Sequence, residues 1–179
     1  MKLDQIVNQP VIEADRFTLR PVRRSDAGLV SMYAADKRVA WNTSNIPHPL
    51  PPGTSEAFVE RAMSPTRSED VWVIDGAATG AGEVLGTVGL KRMDRAQSEI
   101  GYWIAPAFWN TGLASEAVRA VLAANPQEAE TFFGVVFQDN PASARVLTNA
   151  GFEYIGDAET FCVARGATVP TWTYIRKMS

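Results

Sequence analysis

The chain has 179 residues, of which 46% are hydrophobic and 21% charged, and its formal net charge is -3. This length suits one domain with a sizeable core, and the mildly acidic balance argues against nucleic acid as the main partner. The single cysteine and single histidine exclude a disulfide framework and the usual His/Cys metal sites. We therefore expect one domain over residues 1–179 and no metal site.

The sequence shows neither a signal-peptide core nor an apolar run long enough to cross a membrane. A single cysteine also fits a reducing compartment. We therefore expect a cytoplasmic protein that has no membrane partner.

The first half of the chain is expected to hold one strand, two helices and a hairpin. Apolar and polar residues alternate in "RFTLRPV", which is typical of a half-buried strand. The proline-rich segment 45–54 predicts a loop, and the glycine-rich turn 76–82 between two apolar runs predicts a hairpin. In chain order, the predicted elements are a strand at 16–22, helices at 24–40 and 55–63, and strands at 71–75 and 83–93.

The second half of the chain is expected to alternate strands and helices. The run "TFFGVVF" is almost wholly apolar, as in a buried strand. Asn140 as cap, Pro141 in the first turn and Gly151 as stop predict a helix between them. In chain order, the predicted elements are a strand at 98–104, a helix at 113–124, a strand at 131–137, a helix at 140–151, and strands at 152–156 and 171–177. Helices interleaved along one mixed sheet predict an α/β (α+β) fold.

The stretch "FWNTGLASEA" (108–117) joins a predicted strand to a predicted helix through very small side chains. The first N–H groups of a helix have no internal partner and, together with the helix dipole, they favour an anion. Thr111, Gly112, Ala114 and Ser115 would let a phosphate approach them closely. The alternative is a plain strand-to-helix turn that uses glycine for its backbone angles. The spacing excludes a Walker loop and a dinucleotide fingerprint.

Two longer stretches, "EIGYWIAPAFWNTGLASEAV" and "NPASARVLTNAGF", together resemble the GNAT family of acetyl-coenzyme A-dependent N-acetyltransferases. The resemblance is strongest to the branch of ribosomal-protein amino-terminal (RimJ/RimL-like) acetyltransferases. It implies a single GNAT-like domain with a mixed, mostly antiparallel sheet flanked by helices, and acetyl-coenzyme A as co-substrate. It assigns the phosphate-binding loop to Trp109, Asn110, Thr111, Gly112, Leu113 and Ala114.

The chain departs from the family pattern at two positions near the coenzyme. Thr111 stands where relatives often carry a lysine, and Asn149 stands where a basic residue is common. Phosphate binding would then depend more on backbone amides. Arg145 could compensate for the lost charge; its alternative is a solvated helix residue.

Acetyl transfer to an amine needs a base and a group that stabilises the developing oxyanion. The resemblance places Glu99 as the base, acting through a water, while the alternative is an ordinary strand-end glutamate. It also implies that strand 98–104 splays from its neighbour. A freed N–H near Trp103 or Ile104 would then hold the thioester oxygen, although Trp103 could equally be core.

Asn140 and Ser143 lie three residues apart, and so on one face of the predicted helix. Read locally, Asn140 is only a helix cap. The resemblance implies instead that Asn140 binds the coenzyme arm and that Ser143 lies near the sulfur. Leu147 occupies the position where many relatives outside this branch carry a tyrosine acid, so Ser143 is a candidate replacement and Tyr154 a weaker one.

The early region of the family binds the acceptor, which makes Trp41, Asn42 and His48 candidate substrate-binding residues. His48 has a plainer interpretation as a loop residue with a packing or surface role. Cys162 has no histidine or metal-ligand companion, so we expect it to be a small apolar filler.

These observations predict an N-acetyltransferase that moves acetyl from acetyl-coenzyme A to a primary amine by direct attack. The acceptor would be a peptide amino terminus or a small-molecule amine. The alternatives are a noncatalytic acyl-coenzyme A-binding regulatory module and a scaffold domain with no cofactor. Strand edges in such domains often pair, so a homodimer is compatible with this fold.

Overall fold

We describe residues 9–178 of a computed structural model of the chain. The strands are β1 (Ile12–Glu13), β2 (Thr18–Pro21), β3 (Glu69–Asp75), β4 (Gly86–Met93), β5 (Gln97–Ile104), β6 (Thr131–Phe137), β7 (Glu153–Cys162) and β8 (Ala167–Lys177). The α-helices are α1 (Ala27–Ala34), α2 (Lys37–Trp41), α3 (Thr54–Met63), α4 (Leu113–Ala124) and α5 (Pro141–Asn149).

The strands form one eight-stranded sheet in the order β1-β2-β3-β4-β5-β6-β8-β7. Every neighbouring pair is antiparallel except β5 and β6, which run parallel. The predicted mixed, mostly antiparallel sheet flanked by helices is therefore confirmed. The connection between the two parallel strands is α4, as a parallel crossover requires.

The two faces of the sheet carry different helices because successive strand residues point to opposite sides. On β3, Trp72 packs in a cluster with Val118 of α4 and Leu147 of α5. Its neighbour Val73 packs in a second cluster with Val30 of α1 and Val59 of α3. The helices thus cover both faces, with α4 and α5 on one and α1 and α3 on the other.

The helix predicted over 24–40 is wrong as a single element. Residues Arg24–Asp26 form a 3-10 turn, and the chain is helical again from Lys37. The break lies at Asp36, whose carboxylate accepts a hydrogen bond from the N–H of Arg38 at 2.9 Å. An aspartate that caps a new helix competes with continuation of the old one.

The last two strands are longer than the sequence predicts. They pair from Glu153 opposite Ile175 to Cys162 opposite Ala167, with a shift of register between Tyr154 and Gly156. Most of β7 is exposed and carries polar residues. It therefore lacks the apolar run from which a strand is predicted. The short strand β1 was not predicted, because two residues carry no periodic signal.

The parallel pairing of β5 and β6 ends early, and this positions the site. The strands are in register from Gln97 opposite Thr131 to Ile100 opposite Gly134. Beyond that point β5 continues along β4 and β6 continues along β8. The sheet therefore opens between the carboxyl ends of β5 and β6, as the resemblance implied.

Gly134 brings helix α5 close to the sheet where the opening starts. A Cβ atom at this position would lie 2.6 Å from Cδ1 of Leu147. Only the bare backbone of glycine leaves room for this leucine, which is almost fully buried. The side chain of Leu147 thus fills the space above Gly134 with apolar packing.

Candidate active site

A cleft of about 810 Å³ begins at the opening of the sheet and extends over the face that carries α1 and α3. Its walls come from α1, α3, the segment 42–46, the strands β3 to β6 and the first turn of α5. Of the predicted site residues, the cleft brings together Asn42, Glu99, Trp103, Asn140 and Ser143.

Glu99, Gly101 and Trp103 alternate along β5 and all line this cleft. Glu99 is half-buried and stands opposite Lys91 of β4 and Phe133 of β6. Trp103 is also half-buried, with its ring centre 6.5 Å from that of Tyr33. The side chain of Trp103 packs on the cluster that contains Val30 and Val59, as the core interpretation expects, and it also lines the cleft.

The backbone of β5 distinguishes the two candidates for holding the thioester oxygen. Ala105 donates its N–H to the carbonyl of Leu85 at 2.8 Å, in the direction of β4. Alternation along the strand therefore turns the N–H of Trp103 toward β4 as well and the N–H of Ile104 toward the opening. The side chain of Ile104 is buried, so only its backbone is presented there.

Asn140 and Ser143 project from the start of α5 at the rim of the opening. Asn140 is the N-cap residue, yet its side chain makes no capping hydrogen bond. Asn140 is therefore the cap residue by its backbone position only. Its side-chain amide is free of the helix and lines the cleft. Ser143 lies in the first turn, where the hydroxyl of Tyr102 contacts both its carbonyl oxygen and its Oγ at 3.0 Å.

Tyr102 is a site residue that the sequence analysis missed. Burial raises its pKa to about 12, although its hydrogen bond with Ser143 acts in the opposite direction. The phenol is therefore neutral at physiological pH and serves as a hydrogen-bond donor. Its side chain points away from that of Glu99, since the two are an odd number of residues apart on β5. Nothing in the local pattern relates it to Ser143.

The loop before α4 has the geometry expected for an anion site. Gly112 is the N-cap of α4 and has a φ of +80°, a backbone conformation that side chains disfavour. The first α4 residue to donate along the helix is Glu116, whose N–H binds the carbonyl of Gly112 at 3.0 Å. The amides before it have no intrahelical partner. Leu113 is buried in the core, so it offers only its backbone N–H.

Arg16 holds this loop from the side of β2. Its guanidinium donates to the carbonyl of Thr111 at 2.8 Å and to the carboxylate of Glu116 at 2.6 Å. Because the trans peptide is planar, a carbonyl held by Arg16 directs the N–H of Gly112 to the opposite side. Arg16 thus places a positive charge beside Thr111, and no sequence signal connects it to this loop.

Trp109 and Asn110 complete the loop at the end of β5. The indole N–H of Trp109 donates to the carbonyl of Ile104 at 2.7 Å, and Arg38 lies over its ring at 5.8 Å. Asn110 is exposed and has a φ of +63°. Ala114 is half-buried against the core. The side chain of Trp109 therefore ties the loop to the strand, and the small residues after it leave the backbone accessible.

In the described part of the chain, four further predicted residues do not line the cleft. Lys37 and Arg165 both lie over the ring of Trp41, at 4.7 and 5.1 Å from its centre. His48 is half-buried in its loop. Arg145 is exposed on α5. Tyr154 is exposed on β7, where its hydroxyl binds Asp157; that hydrogen bond raises the pKa of Tyr154, and the residue is not positioned to serve as the acid.

Residues 9–178 contain no group of three or more His, Cys, Asp or Glu side chains that could hold a metal ion. None of the helices in the same range combines the length and the apolar character needed to span a membrane.

The sequence over residues 16–153 matches the family model described as the acetyltransferase (GNAT) domain. The chain belongs to the GNAT acetyltransferase family. It is an acyltransferase with N-acetyltransferase activity, and its co-substrate is acetyl-coenzyme A. The predictions of family, enzyme class and co-substrate are thereby confirmed.

A curated relative agrees with this assignment over nearly its whole length. The chain is 26% identical over 170 residues to the uncharacterized N-acetyltransferase YoaA of Bacillus subtilis, covering 92% of this chain and 95% of that protein.

Solved structures share the GNAT fold at low sequence identity. The microcin C7 self-immunity acetyltransferase MccE, solved with acetyl-CoA and AMP, has a TM-score of 0.79 at 17% identity and covers 92% of this chain and 93% of its own. RimL, the ribosomal L7/L12 alpha-N-protein acetyltransferase solved with coenzyme A, has a TM-score of 0.76 at 17% identity and covers 94% and 98%.

Proposed function

We propose that this GNAT acetyltransferase moves the acetyl group of acetyl-coenzyme A directly onto a primary amine that enters the cleft. The observation that carries the proposal is the opening between β5 and β6, where pairing ends at Ile100 and Gly134. The opening exposes backbone groups of β5 to a ligand bound at the loop before α4. The opening also connects the loop before α4 with the cleft that contains Glu99.

The coenzyme would lie along the opening, with its pyrophosphate at the start of α4. The pantetheine arm would bind beside the backbone of Tyr102 and the N–H of Ile104, which face the opening, as an added strand binds a sheet edge; the carbonyl of Ile104 is already bound by Trp109. The uncapped amide side chain of Asn140 would contact the same arm. The turn at Gly112 would hold the pyrophosphate through backbone N–H groups.

In the acetyl transfer, the amine nitrogen forms a bond to the thioester carbonyl carbon and the carbon–sulfur bond breaks. The ammonium must lose a proton first, because only the free amine has a lone pair with which to attack. Glu99 would take this proton through a water. The N–H of Ile104 would stabilise the oxyanion. When the carbon–sulfur bond breaks, the hydroxyl of Ser143 would donate a hydrogen bond to the departing thiolate. The nitrogen then loses its second proton and the thiolate gains one, so that the products are the amide and the thiol of coenzyme A.

The acceptor would approach across the wall that includes Asn42. Because the cleft is wide, it has room for a peptide amino terminus or for a small-molecule amine. RimL, which shares this fold, is an alpha-N-protein acetyltransferase of ribosomal L7/L12. This supports including peptides with free amino termini among the candidate acceptors. Cys162 is the single cysteine of the chain and is buried, so no disulfide stabilises the fold from within; this supports our proposal that the protein works in the cytoplasm.

Thiol release from acetyl-coenzyme A tests the proposal. The protein is mixed with acetyl-coenzyme A and a panel of small primary amines and short peptides with free amino termini. We expect amine-dependent thiol release and an N-acetylated product by mass spectrometry. Coenzyme binding without thiol release on any amine would instead favour a noncatalytic binding module.

A further inference from the structure

Two glycines form part of the floor of the cleft beside the opening. Gly89 of β4 and Gly101 of β5 stand directly opposite each other in the sheet, and both line the cleft. A Cβ atom added at Gly101 would meet no heavy atom within 4 Å. The space above Gly101 is therefore open, and it adjoins the strand that carries Glu99.

The space above Gly89 is occupied by the carboxylate of Glu69, the first residue of β3. Its Oε2 lies 2.7 Å from the position that a Cβ atom on Gly89 would take. Adjacent strands are roughly 4.8 Å apart, so a group resting on Gly101 is a direct neighbour of this carboxylate. Glu99, two residues before Gly101 and on the same face, lies on another side of the same space.

Two carboxylates, Glu69 and Glu99, and two cations, Lys91 and Arg61, line the cleft around this space. Glu69 keeps an exposed surface, but partial burial of its carboxylate raises its pKa; Lys91 and Arg61 counteract this, and the negative charges of Glu99 and Asp70 add to it. Arg67, which also lines the cleft, is already paired with the buried Asp70 at 2.9 Å. Two carboxylates that repel each other across an open space are both stabilised when a positive group enters between them.

We infer that Glu69 binds the ammonium group of the acceptor above Gly101, across from Glu99. This inference rests on the proposed function and names its substrate class. The acceptor is a primary ammonium whose first carbon atoms lie on the bare glycine floor, as an unbranched alkylamine or an N-terminal residue with a small side chain would. Glu69 is an acceptor-binding residue, and the proton transfer remains with Glu99.

Steady-state kinetics with two probes, n-butylamine and the peptide trialanine, test the assignment. We expect Glu69→Gln to raise the KM for the amine about tenfold, the effect of losing one charge-assisted contact. The KM for acetyl-coenzyme A should not change. Glu60→Gln is the matched control, because Glu60 is exposed on α3 and pairs with Arg24; its kinetic constants should equal those of the wild type.

Two other substitutions distinguish binding from a merely structural role. Lys91 stands between Glu69 and Glu99 in the sheet register, so Lys91→Gln should lower the KM for the amine by removing a repulsive charge. A structural pairing with Glu69 would instead make Lys91→Gln as harmful as Glu69→Gln. Gly101→Ala should abolish acetylation while coenzyme A binding and thermal stability are kept, since the added methyl fills only the open space.

An unchanged KM for the amine in Glu69→Gln, in an enzyme that acetylates either probe, would overturn the inference and leave the proposed function intact. Loss of coenzyme A binding in Gly101→Ala would also overturn it, since the space would then belong to the coenzyme. If the coenzyme A-saturated wild type neither acetylates nor binds either probe by calorimetry, the proposal of an amine acceptor fails together with the inference.

Discussion

The hydroxyl of Tyr102 binds Ser143 across the opening of the sheet, 3.0 Å from both the carbonyl oxygen and the Oγ of that residue. This contact joins β5 to the first turn of α5, the two elements that face each other where the coenzyme sulfur would lie. It therefore fixes the position of the hydroxyl that we propose as hydrogen-bond donor to the thiolate.

Tyr102→Phe should lower kcat by about threefold to tenfold and the free energy of unfolding by about 1 kcal/mol, the usual contribution of one hydrogen bond. Ser143→Ala should lower kcat at least as much, because it removes the donor itself. If the tyrosine acts through the serine, the double variant should be no slower than Ser143→Ala. Fully additive losses in kcat would show that the two hydroxyls act independently.

Glu99→Gln should reduce kcat/KM for the amine by about a hundredfold or more, since general base catalysis contributes roughly 10² to 10⁴. Coenzyme A affinity, measured by calorimetry, should stay within a factor of two or so of the wild type, because Glu99 faces the acceptor cleft. Glu159→Gln, an exposed change on β7, is the control. Wild-type activity in Glu99→Gln would remove this residue from the mechanism.

Arg16→Ala should raise the KM for acetyl-coenzyme A by about fivefold to tenfold and leave the KM for the amine unchanged. The reason is that the carbonyl of Thr111 loses its donor at 2.8 Å, so the peptide before Gly112 is no longer oriented; one such bond is worth about 1 kcal/mol or somewhat more. Arg24→Ala, which breaks a solvent-exposed pair with Glu60, should change neither constant. Equal effects of the two substitutions would argue against a specific role for Arg16.

Asp75→Asn should lower the free energy of unfolding at neutral pH by about 1 to 3 kcal/mol. Burial opposes ionisation of Asp75, but hydrogen bonds from Arg20 and from the N–H of Ala77 outweigh it and hold its pKa below the ordinary value of 3.8. A depressed pKa contributes stability that is complete above the unfolded-state pKa and is lost as the pH falls through the folded-state pKa.

The difference between wild type and Asp75→Asn should therefore be constant from neutral pH to about pH 5 and shrink below about pH 4. Urea unfolding at several pH values measures it. A difference that grows toward acid would contradict the assigned direction of the pKa shift.

Gly134→Ala should destabilise the protein by about 1 to 3 kcal/mol, the usual cost of overpacking a core, and should also lower kcat. The new methyl would lie 2.6 Å from Cδ1 of Leu147 and push α5, with Ser143, away from the sheet. Adding Leu147→Val, which shortens the opposing side chain, should recover part of both losses. No recovery in the double variant would place the clash elsewhere.

The sequence by itself determined the elements whose contacts are local. The helix at 113–124 and the strand at 131–137 lie at the bounds that their apolar patterns predict, because residues two, three or four apart contact one another within such elements. The motif around Gly112 likewise lies in one continuous stretch, so it pointed to the family and to the coenzyme.

Only the tertiary structure decided which distant residues meet. Arg16 reaches Thr111 across 95 residues and Tyr102 reaches Ser143 across 41, while Glu69 lies on Gly89 of the neighbouring strand. These contacts depend on strand order, on register and on the point where β5 and β6 separate. A local pattern cannot specify them, because sheet pairing joins segments whose separation along the chain is set by loops and not by any helical or strand period.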